Sequence, residues 1–188
     1  MTVQGDSDLS PATPVDPPDS YPRELETVVT LADGEPVYLR PVVPADIDRI
    51  RHAFAIADAE SIRLRFFTGA PPADEQHLHY LVEVDYRRRL ALVALDGEGN
   101  SIGIARYEGA GDERPAEVAV VVSVEWRRRG VGRTLLLALE EPASRAGIDV
   151  FEAIYQPGNR AVDEMLAGLG YTDRRFEDGL VCVTKSLS

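Results

Sequence analysis

Two features of this 188-residue chain have residue types and spacing suited to chemistry. The first is the run Arg127-Arg128-Arg129-Gly130-Val131-Gly132, followed by Arg133 and Thr134. It joins an apolar β-prone stretch, Val118 to Val122, to an amphipathic helix expected to begin near Val131. A helix start leaves backbone N–H groups without intrahelical partners and carries partial positive charge from the helix dipole. Two glycines let a ligand approach that backbone closely, and four arginines add full charge. Cations at a helix N-terminus are unfavourable unless an anion sits among them. The run therefore predicts a site for a phosphorylated ligand; the competing reading is a solvated charge run with two plain turn glycines. The second feature is Glu117, at the start of a strand otherwise made of Ala and Val. A carboxylate in an apolar setting holds its proton more tightly, which suits it to general-base work. The alternatives are a strand-end glutamate facing solvent, or one satisfied by an arginine.

The other chemistry-bearing residues form no such constellation. Cys182 is the chain's one cysteine, which excludes an internal disulfide and a cysteine-based zinc cluster, and it reads as a core thiol. His52, His77 and His79 have no metal-ligand spacing to Cys or acidic residues, so no metal is expected. The formal net charge is −12, which argues against nucleic acid as a partner and favours a cationic substrate. No apolar run approaches the ~20 residues of a membrane span. The N-terminus lacks a secretory signal pattern, so cytoplasmic residence is expected.

The elements that would position these residues follow from pattern. Residues 1–22 are rich in Pro, Asp, Ser and Thr and read as a disordered tail; residues 23–188 read as one domain, ordered from near Leu25. Thr27 to Leu31 and Val37 to Pro41 are β-prone around Ala32-Asp33-Gly34, a hairpin signal. Ile47, Ile50, Phe54 and Ile56 predict a helix entered at Pro44. A short helix is expected to carry Ile62, Leu64 and Phe66, and another, after Pro71-Pro72, turns Leu78, Leu81 and Val82 inward. Leu90 to Leu95, Ile102 to Tyr107 and Glu117 to Val124 read as strands. A helix from Val131 to Ala146 closes at Gly147, and Asp149 to Tyr155 is a strand. A second helix runs from Asn159 to Leu169, and Tyr171 to Phe176 with Leu180 to Leu187 form a final hairpin.

Arg127-x-x-Gly130-x-Gly132 after a Val-rich strand resembles motif A of the GNAT superfamily of N-acetyltransferases, and the element order from Leu25 to Leu187 is similar throughout. The resemblance implies a mixed α/β fold. Its single, mostly antiparallel sheet would have about seven strands, flanked by helices and splayed at the strand carrying Glu117. It implies acetyl-CoA as acyl donor. The amides of Arg128 to Thr134 would take its pyrophosphate, with one of Arg127, Arg128, Arg129 and Arg133 reaching the 3′-phosphate. Val120, Val121 and Val122 would offer amides to the pantetheine and acetyl groups. Asn159 matches a common CoA contact, and a helix N-cap there is compatible with that role. Leu166 stands where many members carry a tyrosine that protonates the leaving thiolate; Tyr155 and Tyr171 are the nearby substitutes.

Leu39-Arg40-Pro41-Val42, Ser61 to Phe67, Asp85-Tyr86, Leu90 to Ala94 and Ala105-Arg106-Tyr107 are similar to the catalytic domain of bacterial Pat-type protein lysine acetyltransferases. Ala116-Glu117 falls where those enzymes place a catalytic glutamate. This narrower resemblance implies direct transfer to lysine ε-amines of proteins, acyl-CoA synthetases among them, by a monomer or homodimer. Such domains are often fused to a regulatory domain, for which these 188 residues leave no room. Acetylation of a small amine (an amino acid, polyamine or antibiotic) and a catalytically silent acyl-CoA-binding sensor are the alternatives.

Overall fold

The computed structural model describes residues 16–56, 74–109 and 115–187. The expected helix carrying Ile62, Leu64 and Phe66, the Ser61 to Phe67 stretch and residues 1–15 of the expected tail lie outside the described residues. The rest builds one eight-stranded sheet in the order β1-β2-β3-β4-β5-β6-β8-β7. A hairpin joins β1 (Thr27–Thr30) to β2 (Pro36–Pro41), and Gly34, with φ +88°, makes its turn. A 3₁₀ turn, Pro44–Asp46, leads into α1 (Ile47–Ile56). Helix α2 (Glu75–Val82) is capped by Asp74, whose carboxylate accepts the His77 N–H at 2.7 Å. Strands β3 (Arg89–Leu95), β4 (Ser101–Gly109) and β5 (Ala116–Val122) follow. Helix α3 (Val131–Arg145) crosses over to β6 (Val150–Tyr155), and α4 (Arg160–Gly168) precedes β7 (Asp173–Glu177) and β8 (Leu180–Ser186).

The mixed, mostly antiparallel architecture matches the expectation, with eight strands where about seven were expected. Both strands of the last hairpin join the sheet, β8 lying between β6 and β7. The only parallel pairing among the described residues is β5 with β6, the two strands that α3 connects. Strand β3 is buried on both faces, which explains its unbroken apolar run. Leu90, Leu92 and Ala94 meet Leu135, Leu136 and Leu139 of α3 on one face. Ala91, Val93 and Leu95 meet Leu78 and Val82 of α2 on the other. Residues 16–22, expected in the tail, are among the described residues, and Tyr21 is buried, its ring edge-on to Tyr86 at 5.8 Å. A single aromatic in a polar, Pro-rich stretch carries no periodic signal, so pattern reading placed it with the tail.

A buried ion pair ties β2 to the turn before α1. Arg40, 2% exposed, donates from Nη1 and Nη2 to the two carboxylate oxygens of Asp46, each at 2.7 Å. Asp46 also accepts the Val43 N–H at 2.9 Å. Burial alone would raise its carboxyl, but the Arg40 and Val43 hydrogen bonds outweigh burial and hold it below the usual carboxylate range. Asp46→Ala leaves a buried guanidinium unpaired and is expected to cost about 3–5 kcal/mol in urea unfolding. Because the folded-state value is depressed, the pair's contribution is present above the unfolded value of about 4 and fades as pH falls below it. The acid-induced loss of stability below about pH 4 should therefore be shallower in the variant than in the wild type.

Candidate active site

Strands β5 and β6 run side by side only from Ala116 opposite Phe151 to Val118 opposite Ala153. Beyond that rung β5 stays with β4 as far as Val122 opposite Gly103, while β6 diverges. From Ala119 to Val122 the β6 side of β5 therefore has no strand partner, which is the expected splay. A cleft of about 700 Å³ opens there, walled by β5, the β5–α3 loop, the start of α3, the end of β6 and one side of α4. Glu117, Val120, Val121, Val122, Arg127, Arg128, Gly130, Val131, Gly132, Arg133 and Asn159, eleven of the thirteen residues singled out in the sequence, line it. Arg129 and Thr134 do not.

The loop has the geometry expected of an anion site. A 3₁₀ turn, Val124–Trp126, is followed by two left-handed residues, Arg128 at φ +61° and Gly130 at φ +96°. The helical ladder of α3 begins with the Thr134 N–H donating to the Gly130 carbonyl at 2.9 Å. The amides from Gly130 to Arg133 thus have no intrahelical acceptor, and no side chain caps them and no acid occupies the first turn. Thr134, expected among the free amides, is excluded because its N–H is already engaged. Gly132 has a different task from Gly130. A Cβ on it would meet Met165 Sδ at 3.3 Å and Val122 Cγ2 at 3.4 Å, so its bareness lets α3 start against β5 and α4.

The four arginines divide by role. Arg129 Nε donates to Asp33 at 2.7 Å, and its guanidinium lies 4.0 Å from the centre of the Trp126 ring, so this side chain is turned to the β1–β2 hairpin. Arg133 Nη1 donates to the Gly168 carbonyl at 2.9 Å, at the end of α4. Arg127 Nε donates to the Val122 carbonyl at 3.3 Å and braces the loop against β5. Arg128 is exposed and has no ion pair or hydrogen bond among the described residues.

Glu117 is exposed at the lip of the cleft. This corrects the expectation of an apolar pocket: the strand is apolar on its core face, and Glu117 points to the other. Its cross-strand neighbours are both acidic, Glu108 on β4 and Glu152 on β6. Glu108 is taken by Arg89 Nε at 2.9 Å and by the Tyr80 hydroxyl, and Glu152 by Arg175 Nη2 at 2.7 Å. Glu117 has no such partner among the described residues. It is the one carboxylate in this rung left to face a substrate.

Asn159 caps α4, its Oδ1 accepting the Val162 N–H at 3.3 Å, and also lines the cleft. Tyr155 lies in the cleft wall, but its hydroxyl donates to Asp163 at 2.5 Å. Burial, with Asp163 second, pushes that phenol up to about 12. Tyr171 is buried outside the cleft, and Leu166 lines it. Trp126 and Met165 also line it, and pattern reading overlooked both. Trp126 is the chain's single tryptophan and abuts the arginine run, a signal present in the sequence; Met165 reads as ordinary helix core. Among the described residues no group of three or more His, Cys, Asp or Glu could hold a metal ion, and no helix is long and apolar enough to cross a membrane.

Residues 37–172 match the family model described as an acetyltransferase (GNAT) domain. The chain is 33% identical over 155 residues to "Acetyltransferase Pat" of Mycolicibacterium smegmatis, covering 81% of this chain and 46% of that protein. It thus spans about half the length of that relative. It is 29% identical over 154 residues to "Acetyltransferase PA5475" of Pseudomonas aeruginosa, covering 80% of this chain and 83% of that protein. The crystal structure of the GNAT domain of S. lividans PAT superimposes with a TM-score of 0.80 at 31% identity, covering 88% of this chain and 99% of the other.

Proposed function

Because the chain belongs to the GNAT acetyltransferase family, we propose that it transfers the acetyl group of acetyl-CoA to the ε-amine of protein lysines, with Glu117 as general base. One observation carries this reading. A single cleft has an unpartnered carboxylate at one end and a run of acceptor-free amides with Arg127 and Arg128 at the other. The likeness to two proteins named for Pat supports a protein acceptor, and the net charge of −12 favours a cationic one.

Lysine is protonated at neutral pH and cannot attack a thioester in that form. Glu117 accepts a proton from the ammonium, and the freed amine attacks the acetyl carbon. The β5 amides between Ala119 and Val122 stabilise the developing oxyanion. The C–N bond forms, the C–S bond breaks, and CoA leaves as the thiolate, which takes up through water the second proton lost by the nitrogen, while the proton on Glu117 passes to solvent. Tyr155 is not assigned that role, because its hydroxyl already donates to Asp163. The amides of Gly130 to Arg133 hold the pyrophosphate, so that the thioester lies along β5.

Incubation with acetyl-CoA and a bacterial lysate, followed by mass spectrometry of proteins and small amines, tests the assignment. Acetyl-lysine on a discrete set of proteins, absent with Glu117→Gln, is the expected result. Acetylation confined to small amines would overturn the protein acceptor. Thermal stabilisation by acetyl-CoA with no transfer to either pool would overturn catalysis and leave a sensor.

A further inference from the structure

The β1–β2 hairpin is joined to the cofactor loop by a contact that spans 96 residues of sequence. The two oxygens of Asp33 have separate tasks: Oδ1 accepts the Glu35 N–H at 3.1 Å within the hairpin, and Oδ2 accepts Arg129 Nε at 2.7 Å. Arg129 in turn covers the Trp126 ring at 4.0 Å, and Trp126 lines the cleft. On either side of Arg129 stand the left-handed Arg128 and Gly130, the latter opening α3. A non-glycine residue at φ +61° is held there only if its surroundings over-determine the turn. Arg129 is flanked by the two left-handed positions and is the member of the arginine run that points away from the cleft toward a partner on another element.

We propose that Asp33 is a positioning residue for acetyl-CoA binding, acting through Arg129 and Trp126 to hold the β5–α3 loop with its amides presented to the pyrophosphate. This rests on the reading of the cleft as an acetyl-CoA site. Arg129 is then a strut of the loop and not a phosphate ligand, which leaves phosphate contact to the amides with Arg127 and Arg128. The pair is partly exposed, at 32% and 41% of the two side chains, so its effect is modest and salt-sensitive. Pairing with Arg129, and secondarily the Glu35 amide, holds the Asp33 carboxyl below the usual range, so the strut is intact at neutral pH.

Calorimetric titration with acetyl-CoA, read beside Trp126 emission, tests the proposal. Asp33→Asn and Arg129→Gln are each expected to raise Kd and KM for acetyl-CoA about two- to fivefold, with kcat at saturation retained. The double variant is no worse than either single one, because one contact is lost in all three. High salt raises the wild-type KM toward that of the variants. The tryptophan emission of ligand-free protein, excited selectively and arising from Trp126 alone, changes in both variants. An unchanged or lower Kd in Asp33→Asn would overturn the proposal, the latter because it would make Asp33 a competitor for a phosphate-binding Arg129. Additive losses, or an Arg129→Gln defect far above that of Asp33→Asn, would do the same. Wild-type protein that binds no acetyl-CoA would overturn the cofactor reading itself, whereas normal wild-type binding with unaffected variants sinks only the strut.

Discussion

Glu117→Gln lowers kcat at neutral pH by about 10²–10⁴-fold, the usual span for removing a general base, while the Kd for acetyl-CoA stays near the wild-type value. The split follows from position. Glu117 is at the lip of the cleft, opposite Glu152 and one rung before β5 and β6 part, remote in the chain from the loop at Arg127 to Arg133. Glutamine keeps the size and loses the proton affinity. A pH profile separates a base from a mere packing or docking group. Lysine loses its proton unaided near about pH 10, so the deficit should narrow as pH rises toward that value. A deficit that is constant with pH would take Glu117 out of the proton path. Glu152→Gln is the matched control, since its carboxylate already pairs with Arg175 and removing its charge should leave the wild-type rate and pH profile in place.

The parts of the site that were readable in the sequence are those whose cause is local. A strand, a turn needing φ > 0 and a helix start lie within Ala116 to Thr134, and each is signalled by its own residue types: Val repeats, Gly130, then the spacing of Leu135, Leu136 and Leu139. The splay at Val118 was reachable only through family resemblance, because it depends on where β6 stops following β5, which neither strand encodes alone. The environment of Glu117 was misjudged for the same reason. Its neighbours along the chain are Ala and Val, but its neighbours in space are Glu108 and Glu152, brought there by register. Arg129 is a third case. From composition it is one of four equivalent cations, and only the hairpin folding back from Asp33 distinguishes it. The Arg40–Asp46 pair was likewise unseen, because an arginine in a strand gives no sign of burial until its partner is placed six residues on in a turn.

Gly132→Glu is expected to weaken acetyl-CoA binding by about 10²–10³-fold, the scale of a like-charge contact of roughly 3–4 kcal/mol near a protein surface. The direction of the missing side chain decides this. A Cβ at Gly132 points among Met165, Val122 and Val120, all of which line the cleft, so a longer chain from that position extends into the space the pyrophosphate needs. Its carboxylate would also meet the positive end of α3 and satisfy the amides in the ligand's place. Two further variants separate lost binding from lost folding. Gly132→Ala asks Met165 to move by a few tenths of an ångström, which a flexible thioether allows, and should bind with a small penalty. Gly130→Ala meets no atom within 4 Å, yet must hold φ near +96°, at a strain of about 1–2 kcal/mol borne by the loop alone. It should lower affinity about tenfold if that strain is relieved by a turn that no longer presents its amides. Calorimetry with acetyl-CoA, beside thermal melts of the ligand-free proteins, measures all three. Equal binding by wild type and Gly132→Glu, with both folded, would mean that the helix start is not where the phosphates sit. The arginine run would then be the solvated surface that an acidic protein could carry for solubility alone.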